Sequence, residues 1–185
     1  MRFDVITLFP ELIENSFEYG VTGKALINKK IFVNTSNPRD FSQDVNNKVD
    51  DRPYGGGPGM VLQVEPMIEA IRKAKKQSKK PYTVFMSPQG NIFDQSKAKQ
   101  FSKMEHLVIV CGRYEGVDQR IIDSEIDEEC SVGGYILSGG ELPALIVLDS
   151  ITRIIEGVLG DPDSAKKDTF SNGFLTHPQS TRPET

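Results

Sequence analysis

The chain has few of the residues that build metal or disulfide sites. Its two cysteines, Cys111 and Cys130, do not form a C-x-x-C pair, and its two histidines, His106 and His177, lie far apart. Local spacing therefore predicts no zinc site. The small number of cysteines indicates reduced thiols in a cytoplasm rather than a disulfide framework.

The sequence also lacks a long apolar segment and an excess of positive charge. Acidic residues interrupt the apolar pattern of residues 1–17, so we expect neither a signal peptide nor a membrane span there. Lysine and arginine total 22 against 26 aspartates and glutamates, which gives a net charge of −4. Any contact with RNA or DNA must therefore be local. We expect a soluble, cytoplasmic protein with no membrane partner.

Apolar segments alternate with helical patterns, which indicates an α/β fold. A domain of this length buries about 70% of the surface of its unfolded chain. Strands are predicted at residues 3–8, 31–35, 82–86, 107–111 and 131–137. Helices are predicted at 11–17, from 66 into the lysine-rich 75–80, from 94 or 96 to 104, at 118–123 and at 142–155. Residues 20–30 are predicted to be a connector and 125–129 an acidic turn. The alternation predicts a mostly parallel sheet with helices on both faces.

Glycine-rich segments follow three of the predicted strands. Residues 107–111 are apolar without alternation, which is typical of a parallel strand that is covered on both faces. Glycines then break the chain at 112–116, as they do at 132–140, and the sequence SPQG follows the strand at 82–86. Because ligands of open α/β sheets bind outside the carboxyl ends of the strands, we expect a pocket there.

A long polar region from residue 37 to 53 leads into the sequence RPYGGGPGM. Long loops in compact domains are usually functional or mobile. The glycines at 55–59 are followed by neither Lys-Ser nor Lys-Thr, so this segment is not a P-loop. A sharply turning loop with no ligand is the alternative interpretation of these glycines.

Four motifs occur in one order along the chain: DDRPYGGGPGM at 50–60, SPQG at 87–90, CGRYEGVDQR at 111–120 and SVGGYILSGGELPA at 131–144. Together they resemble the bacterial tRNA (guanine-N1)-methyltransferases of the SPOUT class, which modify the guanine at position 37, beside the anticodon. The resemblance implies an α/β domain with a deep C-terminal trefoil knot, an exception to unknotted topology. It also implies a homodimer, a tRNA substrate and S-adenosylmethionine as cofactor.

The resemblance also implies which residues line the site. The cofactor-binding residues would be Met86, Ser87, Pro88, Gln89, Gly112, Tyr114, Glu115, Val132, Gly133, Gly134, Tyr135, Ile136, Leu137, Gly139 and Gly140. The catalytic residues would be Asp168, a general base that acts across the dimer interface, and Arg153, which lies near the guanine. The substrate-binding residues would be Arg52, Tyr54, Gly59, Lys166 and Lys167. A magnesium ion is not assignable from the sequence.

The chemistry of the reaction fits these residue types. Methyl transfer to N1 of a neutral guanine must remove the N1 proton and accommodate negative charge toward O6, so a carboxylate and a guanidinium are the expected pair. From the residues alone, Asp168 is a helix N-cap or a general base. Arg153 either pairs with Asp149 one turn earlier or serves, with Asp149, a polar pocket at an interface. Glu115 supplies negative charge for a sulfonium, or it is a carboxylate in a surface turn.

The contacts with RNA leave alternatives as well. Arg72 and the lysines at 73–80 form either a phosphate-binding patch or a solvated helix end. Tyr54 or Phe170 is suited to stack on an unstacked base, and Arg182 is a further candidate for contact with the RNA backbone.

The sequence departs from the family pattern at two positions, where Asn46 replaces a histidine and Gly134 an aspartate. Relatives continue into a small helical domain that is absent here, so we expect residues 1–160 to form the SPOUT catalytic domain and 161–185 a linker. Two other functions remain open. One is another RNA methylation, such as ribose 2′-O transfer, and the other is a non-catalytic RNA-binding or nucleotide-binding module.

Overall fold

A computed structural model of the protein describes residues 1–160, 169–170, 178 and 180–182. Three predicted site residues, Lys166, Lys167 and Asp168, lie outside the described residues, and so does most of the predicted linker at 161–185.

Five parallel strands form the central sheet. In spatial order they are β2 (Phe32–Ser36), β1 (Arg2–Ile6), β6 (His106–Cys111), β5 (Pro81–Ile92) and β7 (Glu128–Ser131), numbered along the chain. Two short strands, β3 (Asp50–Asp51) and β4 (Val61–Leu62), pair antiparallel and enclose the predicted substrate loop. The prediction of a mostly parallel sheet is confirmed.

In the described part of the chain, six α-helices connect or follow the strands. They are α1 (Pro10–Glu14), α2 (Gly20–Ile27), α3 (Val64–Lys75), α4 (Gln95–Phe101), α5 (Gln119–Glu125) and α6 (Glu141–Ile154). Short 3-10 turns occupy Asn15–Phe17 and Pro38–Phe41. Asp94 caps α4 as predicted, because its carboxylate accepts a hydrogen bond from the Lys97 amide at 2.8 Å.

Apolar cores lie on both faces of the sheet, and strand β6 contributes to both. All six of its residues are buried. Leu107 and Ile109 pack on the face that α1, α2, α4 and α6 cover, whereas Val108 and Val110 pack on the face that α3 and α5 cover. The interpretation of 107–111 as a parallel strand without a wet face is therefore confirmed.

The predicted strand at 131–137 and the acidic turn before it are wrong. Strand β7 ends at Ser131, and Gly133 turns the chain away with a φ of +152°. The acidic residues belong to the strand because β7 is an edge strand whose side chains find partners. Glu128 accepts hydrogen bonds from the Tyr82 hydroxyl at 3.1 Å and the Lys97 amine at 2.7 Å.

Two further elements differ from their predictions. Residues 20–27, expected to be a connector, form helix α2, which packs closely on the preceding turn. A Cβ at Gly23 would lie 2.9 Å from the Phe17 carbonyl oxygen, so only glycine allows this approach. Strand β5 continues past the predicted end at 86 to Ile92, after a break in register between Met86 and Asn91.

Candidate functional site

A pocket of about 420 Å³ lies at the carboxyl ends of β5, β6 and β7. The segments that follow these three strands, residues 87–90, 112–117 and 132–140, form most of its wall. The glycine-rich segments that the sequence singled out therefore converge on one cavity, at the edge where α/β sheets bind ligands. Its volume is that of a small-molecule site.

The first wall segment, 87–90, leaves the ladder of strand β5. Met86 and Asn91 both pair with Cys130, so the four residues between them bulge out. Gly90 returns the chain directly over strand β7, where an added Cβ would lie 2.3 Å from the Cys130 amide nitrogen. A side chain at this position is therefore incompatible with the wall.

The second wall segment, 112–117, joins the pocket to the predicted substrate loop. Tyr114 has a left-handed φ of +59°, which turns the chain sharply after β6. The Glu115 amide donates to the Met60 carbonyl at 2.9 Å, and the Gly116 carbonyl accepts from the Leu62 amide at 3.0 Å. A ligand of this pocket therefore lies beside the loop that ends at Met60.

The substrate loop itself turns through a series of left-handed glycines. Gly55, Gly56, Gly57 and Gly59 all have positive φ values, between +85° and +115°. The loop therefore turns sharply, as expected, and this geometry is compatible with a role in binding. The Tyr54 side chain is fully exposed at the turn, and Arg52 is exposed as well.

Gly59 brings that loop into contact with the pocket. A Cβ at Gly59 would lie 2.5 Å from the Glu115 side chain. The predicted substrate-binding residue and the predicted cofactor-binding residue are therefore neighbours.

The third wall segment, 132–140, crosses from β7 to the start of α6. The Gly140 amide donates to the Gly112 carbonyl at 2.9 Å. An added Cβ at Gly140 would lie 2.8 Å from the Cys111 Cα. Along this segment Tyr135, Ile136 and Leu137 expose 53%, 81% and 37% of their surface, which leaves apolar side chains available to a flat ligand.

The structure brings the predicted cofactor-binding residues together, with Gly134 as the exception. Fourteen of them line the pocket. Gly134 does not line it, and an added Cβ there would meet nothing within 4 Å.

Sequence reasoning missed several polar residues of the pocket. Arg113, Gln119, Glu129 and Ser138 line it as well. The predicted acidic turn at 125–129 conceals Glu129. A strand prediction at 128–131 would have placed it at the carboxyl end of β7, where the pocket lies. The carboxylates of Glu115 and Glu129 make no hydrogen bond or ion pair within the described part of the chain. The pocket wall therefore carries two carboxylates that are available to a cationic ligand.

The cysteine that lines the pocket is not an activated nucleophile. Burial is the main cause that raises the pKa of Cys130 to about 11. Burial also raises the pKa of Cys111 well above its ordinary value. Both thiols are therefore protonated at neutral pH, which argues against a covalent thiolate mechanism.

Arg153 and the basic residues of α3 do not line the pocket. Arg153 is in the last turn of α6, about 18 Å along the helix axis from the pocket end. The basic residues of α3 lie near its carboxyl end, where Arg72 and Lys75 bind Glu125 at 2.7 and 2.8 Å. Burial opposes ionisation of Glu125, but these two partners hold its pKa below the ordinary value. Part of the basic run is thus structural.

Among the described residues, no group of three or more histidine, cysteine or acidic side chains is arranged to hold a metal ion. None of the helices in the described ranges has the length and apolar character that crossing a bilayer requires.

Comparisons with known proteins agree with this geometry. Residues 1–185 match the family model described as tRNA (Guanine-1)-methyltransferase TrmD. A tRNA (guanine-N(1)-)-methyltransferase of Methylococcus capsulatus is 55% identical over 185 residues, which are 100% of this chain and 74% of that protein. One of Pseudoalteromonas atlantica is 52% identical over 98% of this chain and 69% of its own length.

A solved structure supports the same assignment. The crystal structure of tRNA (m1G37) methyltransferase from Aquifex aeolicus superposes with a TM-score of 0.84 at 39% identity, over 99% of this chain and 76% of that one. From the match over its whole length and from its identity with these relatives, the chain belongs to the tRNA (guanine-1)-methyltransferase family.

Proposed function

We propose that the protein transfers a methyl group from S-adenosylmethionine to N1 of the guanine at position 37 of tRNA. The observation that carries the proposal is the glycine-walled pocket at the carboxyl ends of β5, β6 and β7, in contact with the loop at 52–59. Family membership and the names of the relatives support the choice of substrate.

The pocket residues fit the proposed cofactor. The exposed apolar side chains of Ile136 and Leu137 suit the faces of an adenine, and the adjacent main chain suits its hydrogen-bonding edge. The carboxylates of Glu115 and Glu129 suit a cation. When bound, S-adenosylmethionine supplies an electrophilic methyl group on a sulfonium.

We propose that the chain's own residues then handle the proton and the developing charge. Asp168 accepts the N1 proton, which is worth about 10²–10⁴-fold in rate. Arg153 places its guanidinium near O6, where negative charge develops. Tyr54, fully exposed in the same loop as Gly59, stacks on the unstacked guanine. Arg52, Lys166 and Lys167 contact the RNA backbone.

We propose a two-fold dimer, because the proposed role of Arg153 requires its guanidinium at a pocket. Leu142, Ile146, Asp149 and Arg153 recur along one stripe of α6, and Leu142 and Ile146 expose 54% and 44% of their surface. Arg153 is about 18 Å from the pocket end of its own helix. An antiparallel α6 from a second copy would bring that copy's Arg153 to this pocket, so the active site would be shared between subunits.

We also propose the trefoil knot and the domain division. Helix α6 follows β7, at one edge of the sheet, yet packs mainly on α4 and also on α2 and α1, toward the other edge, so residues 132–140 pass over the ends of the middle strands. The described residues that line the pocket lie between 85 and 143, which supports 1–160 as the cofactor-binding unit. The division that we propose makes 161–185 a linker. Two buried, free thiols are compatible with a cytoplasmic protein.

Methyl-labelled S-adenosylmethionine and unmodified tRNA test the reaction. We expect labelled N1-methylguanine with guanine at position 37 and no product with another base there. Asp168→Ala should lower the rate about 10²–10⁴-fold. A product on a ribose 2′-oxygen, or no label in tRNA at any enzyme concentration, would replace the proposal with another methylation or with a binding module.

Subunit mixing tests the shared site. Asp168→Ala lacks the base, and Leu137→Arg fills the pocket; each variant should be inactive alone. After random exchange of subunits, the mixture should regain about a quarter of the wild-type activity, because half the dimers then hold one complete site. Continued inactivity of the mixture would mean that Asp168 serves the pocket of its own subunit.

A further inference from the structure

A buried carboxylate lies behind the third wall segment of the pocket. Glu141, the first residue of α6, exposes 1% of its surface. Its Oε1 accepts a hydrogen bond from the Thr7 hydroxyl at 2.8 Å, and its Oε2 accepts one from Arg113 Nε at 2.9 Å. One side chain therefore ties together the segments that follow β1 and β6 and the start of α6.

The partners of Glu141 are themselves fixed. The Thr7 hydroxyl oxygen accepts from the Phe9 amide at 2.9 Å. The Arg113 guanidinium lies 4.4 Å from the centre of the Phe9 ring, and its Nη1 donates to the Ser138 carbonyl at 3.2 Å. We call these five residues the Glu141 network. The Thr7–Glu141 bond at its centre is buried, the Arg113–Glu141 pair is partly buried, and the bond to Ser138 lies at the surface. Charge-assisted hydrogen bonds to the buried Glu141 carboxylate hold Arg113 in one geometry.

The Glu141 network touches the pocket directly. Arg113 and Ser138 line it, together with Gly139 and Gly140. An added Cβ at Gly139 would lie 2.3 Å from Arg113 Nε, so the main chain at 139 rests on the guanidinium. The position of residues 138–140 over the cavity is therefore set by where Glu141 holds Arg113.

Stability alone explains this arrangement poorly. Burying an ion pair costs desolvation that the attraction often only offsets, and apolar residues of similar size stabilise a core as well or better. The Glu141 network occupies the one side of the pocket where the segment that follows β7 must meet the ends of β1 and β6. A fixed geometry at this place determines where residues 138–140 lie over the pocket.

We propose that the Glu141 network is a positioning device for the cofactor. The network, through Thr7, Arg113 and Glu141, holds residues 138–140 in the position in which their main chain binds the cofactor. These three side chains take no part in proton or methyl transfer. The inference rests on the proposed function and adds Thr7 and Glu141, which do not line the pocket, to the residues that determine cofactor affinity.

Conservative variants test the device. Thr7→Val removes the hydroxyl that orients Glu141, and Thr7→Ser keeps it. Arg113→Lys keeps a charge beside the buried carboxylate but loses the guanidinium that binds Glu141 through Nε and the Ser138 carbonyl through Nη1. We expect Thr7→Val and Arg113→Lys to raise the Kd and the KM for S-adenosylmethionine about tenfold. At saturating cofactor, kcat and the KM for tRNA should stay within about twofold of wild type, and Thr7→Ser should restore cofactor affinity.

Arg72→Lys is the matched control, since Arg72 also binds a buried glutamate, Glu125, but not at the pocket. Calorimetry should give this variant the wild-type Kd for the cofactor. The melting temperature of each variant shows whether a weaker Kd comes from unfolding or from a change in the folded pocket.

Wild-type cofactor affinity in folded Thr7→Val and Arg113→Lys would overturn the inference, as would an equal fall in kcat at saturation. Thr7→Val decides, because Thr7 does not line the pocket whereas Arg113 does; if Thr7→Val fails to fold, Thr7→Ala replaces it. Failure of the proposed function looks different, because the wild-type protein itself would then bind no S-adenosylmethionine.

Discussion

Two buried threonines differ in whether the side-chain hydroxyl has a hydrogen-bond partner. Thr83, in β5, and Thr152, in α6, each expose 0% of their surface. The Thr152 hydroxyl donates to the Leu148 carbonyl at 2.7 Å. The Thr83 hydroxyl has no hydrogen-bond partner within the described part of the chain. A buried hydroxyl without a partner costs free energy, whereas a bonded one does not.

Replacing Thr83 by valine should therefore stabilise the fold. The variant keeps the branched shape and removes an unpaired polar atom, so we expect the free energy of unfolding to rise by up to about 1 kcal/mol. Urea denaturation measures it. Thr152→Val, the matched control, should lower the same quantity by about 1 kcal/mol. A loss of stability in both variants would show that the Thr83 hydroxyl is bonded in solution.

A second residue-scale feature is the buried His106. Its Nε2 lies 2.7 Å from an Asp4 carboxylate oxygen, and its Nδ1 lies 2.8 Å from the Ser78 hydroxyl. Asp4 also accepts from Arg2 and from Asn34. Burial lowers the pKa of His106 below its ordinary value of 6.5 and outweighs the opposite effect of Asp4. The ring is therefore neutral at pH 7, donates to Asp4 and accepts from Ser78.

This pKa shift predicts a loss of stability in mild acid. The unfolded chain takes up a proton near pH 6.5, whereas the folded chain does so at lower pH, so the unfolded state binds more protons in between. The free energy of unfolding should be constant with respect to His106 above pH 6.5 and should fall as the pH decreases below it. Urea denaturation of wild type and His106→Gln from pH 7.5 to 5 measures the difference. Parallel pH profiles of the two proteins would contradict the assigned shift.

At the scale of elements, the fit of loop against strand decides which glycines are required. Gly140 lies against β6, where an added Cβ would be 2.8 Å from the Cys111 Cα and 2.9 Å from the Gly112 nitrogen. These are main-chain atoms that cannot move aside. Gly134, in the same wall segment, would place its Cβ in open space. Neither glycine has a left-handed φ. The two positions therefore differ only in whether an added Cβ would meet the main chain of β6.

Gly140→Ala should therefore displace the start of α6, whereas Gly134→Ala should not. We expect Gly140→Ala to lower the free energy of unfolding by about 1–3 kcal/mol, as overpacking does, and to weaken cofactor binding at least tenfold. Gly134→Ala should stay within about 0.5 kcal/mol of wild type. Chemical denaturation and calorimetry measure the two effects. Equal behaviour of the two variants would mean that this wall segment adjusts freely.

At the scale of the whole molecule, α6 is covered on one face and open on the other. Ala144, Val147, Leu148 and Ile151 are buried in the core. Ile146, on the opposite side, exposes 44% of its surface. The sequence of α6 carries apolar residues on both faces, and the open face is accounted for if it meets a second copy.

Ile146→Glu should then separate the subunits. At a two-fold interface the new carboxylate would be desolvated and would face the same carboxylate of the second subunit. We therefore expect a monomer in analytical ultracentrifugation and loss of methyl transfer to tRNA. Val45→Glu is the matched control, because Val45 exposes 97% of its surface in a loop before β3. It should keep the wild-type mass. An unchanged mass for Ile146→Glu would place the interface elsewhere.

The elements that the sequence predicted well are those whose signal is local. The apolar run at 107–111 identified the central strand because a strand buried on both faces needs no alternation. The prediction failed at 128–131, since an edge strand carries acidic residues when neighbours supply partners, as Tyr82 and Lys97 do for Glu128. Those partners are distant in sequence, so no local pattern reveals them.

The sequence by itself determined the α/β class, the three glycine-rich segments and the family, because each is written in short motifs and local propensity. Only the tertiary structure decided that these segments converge on one pocket, that Gly59 touches Glu115, and that Arg113 and Thr7 meet on Glu141. Such contacts join residues up to 134 positions apart. They depend on the order of the strands in the sheet, which no local pattern in the sequence encodes.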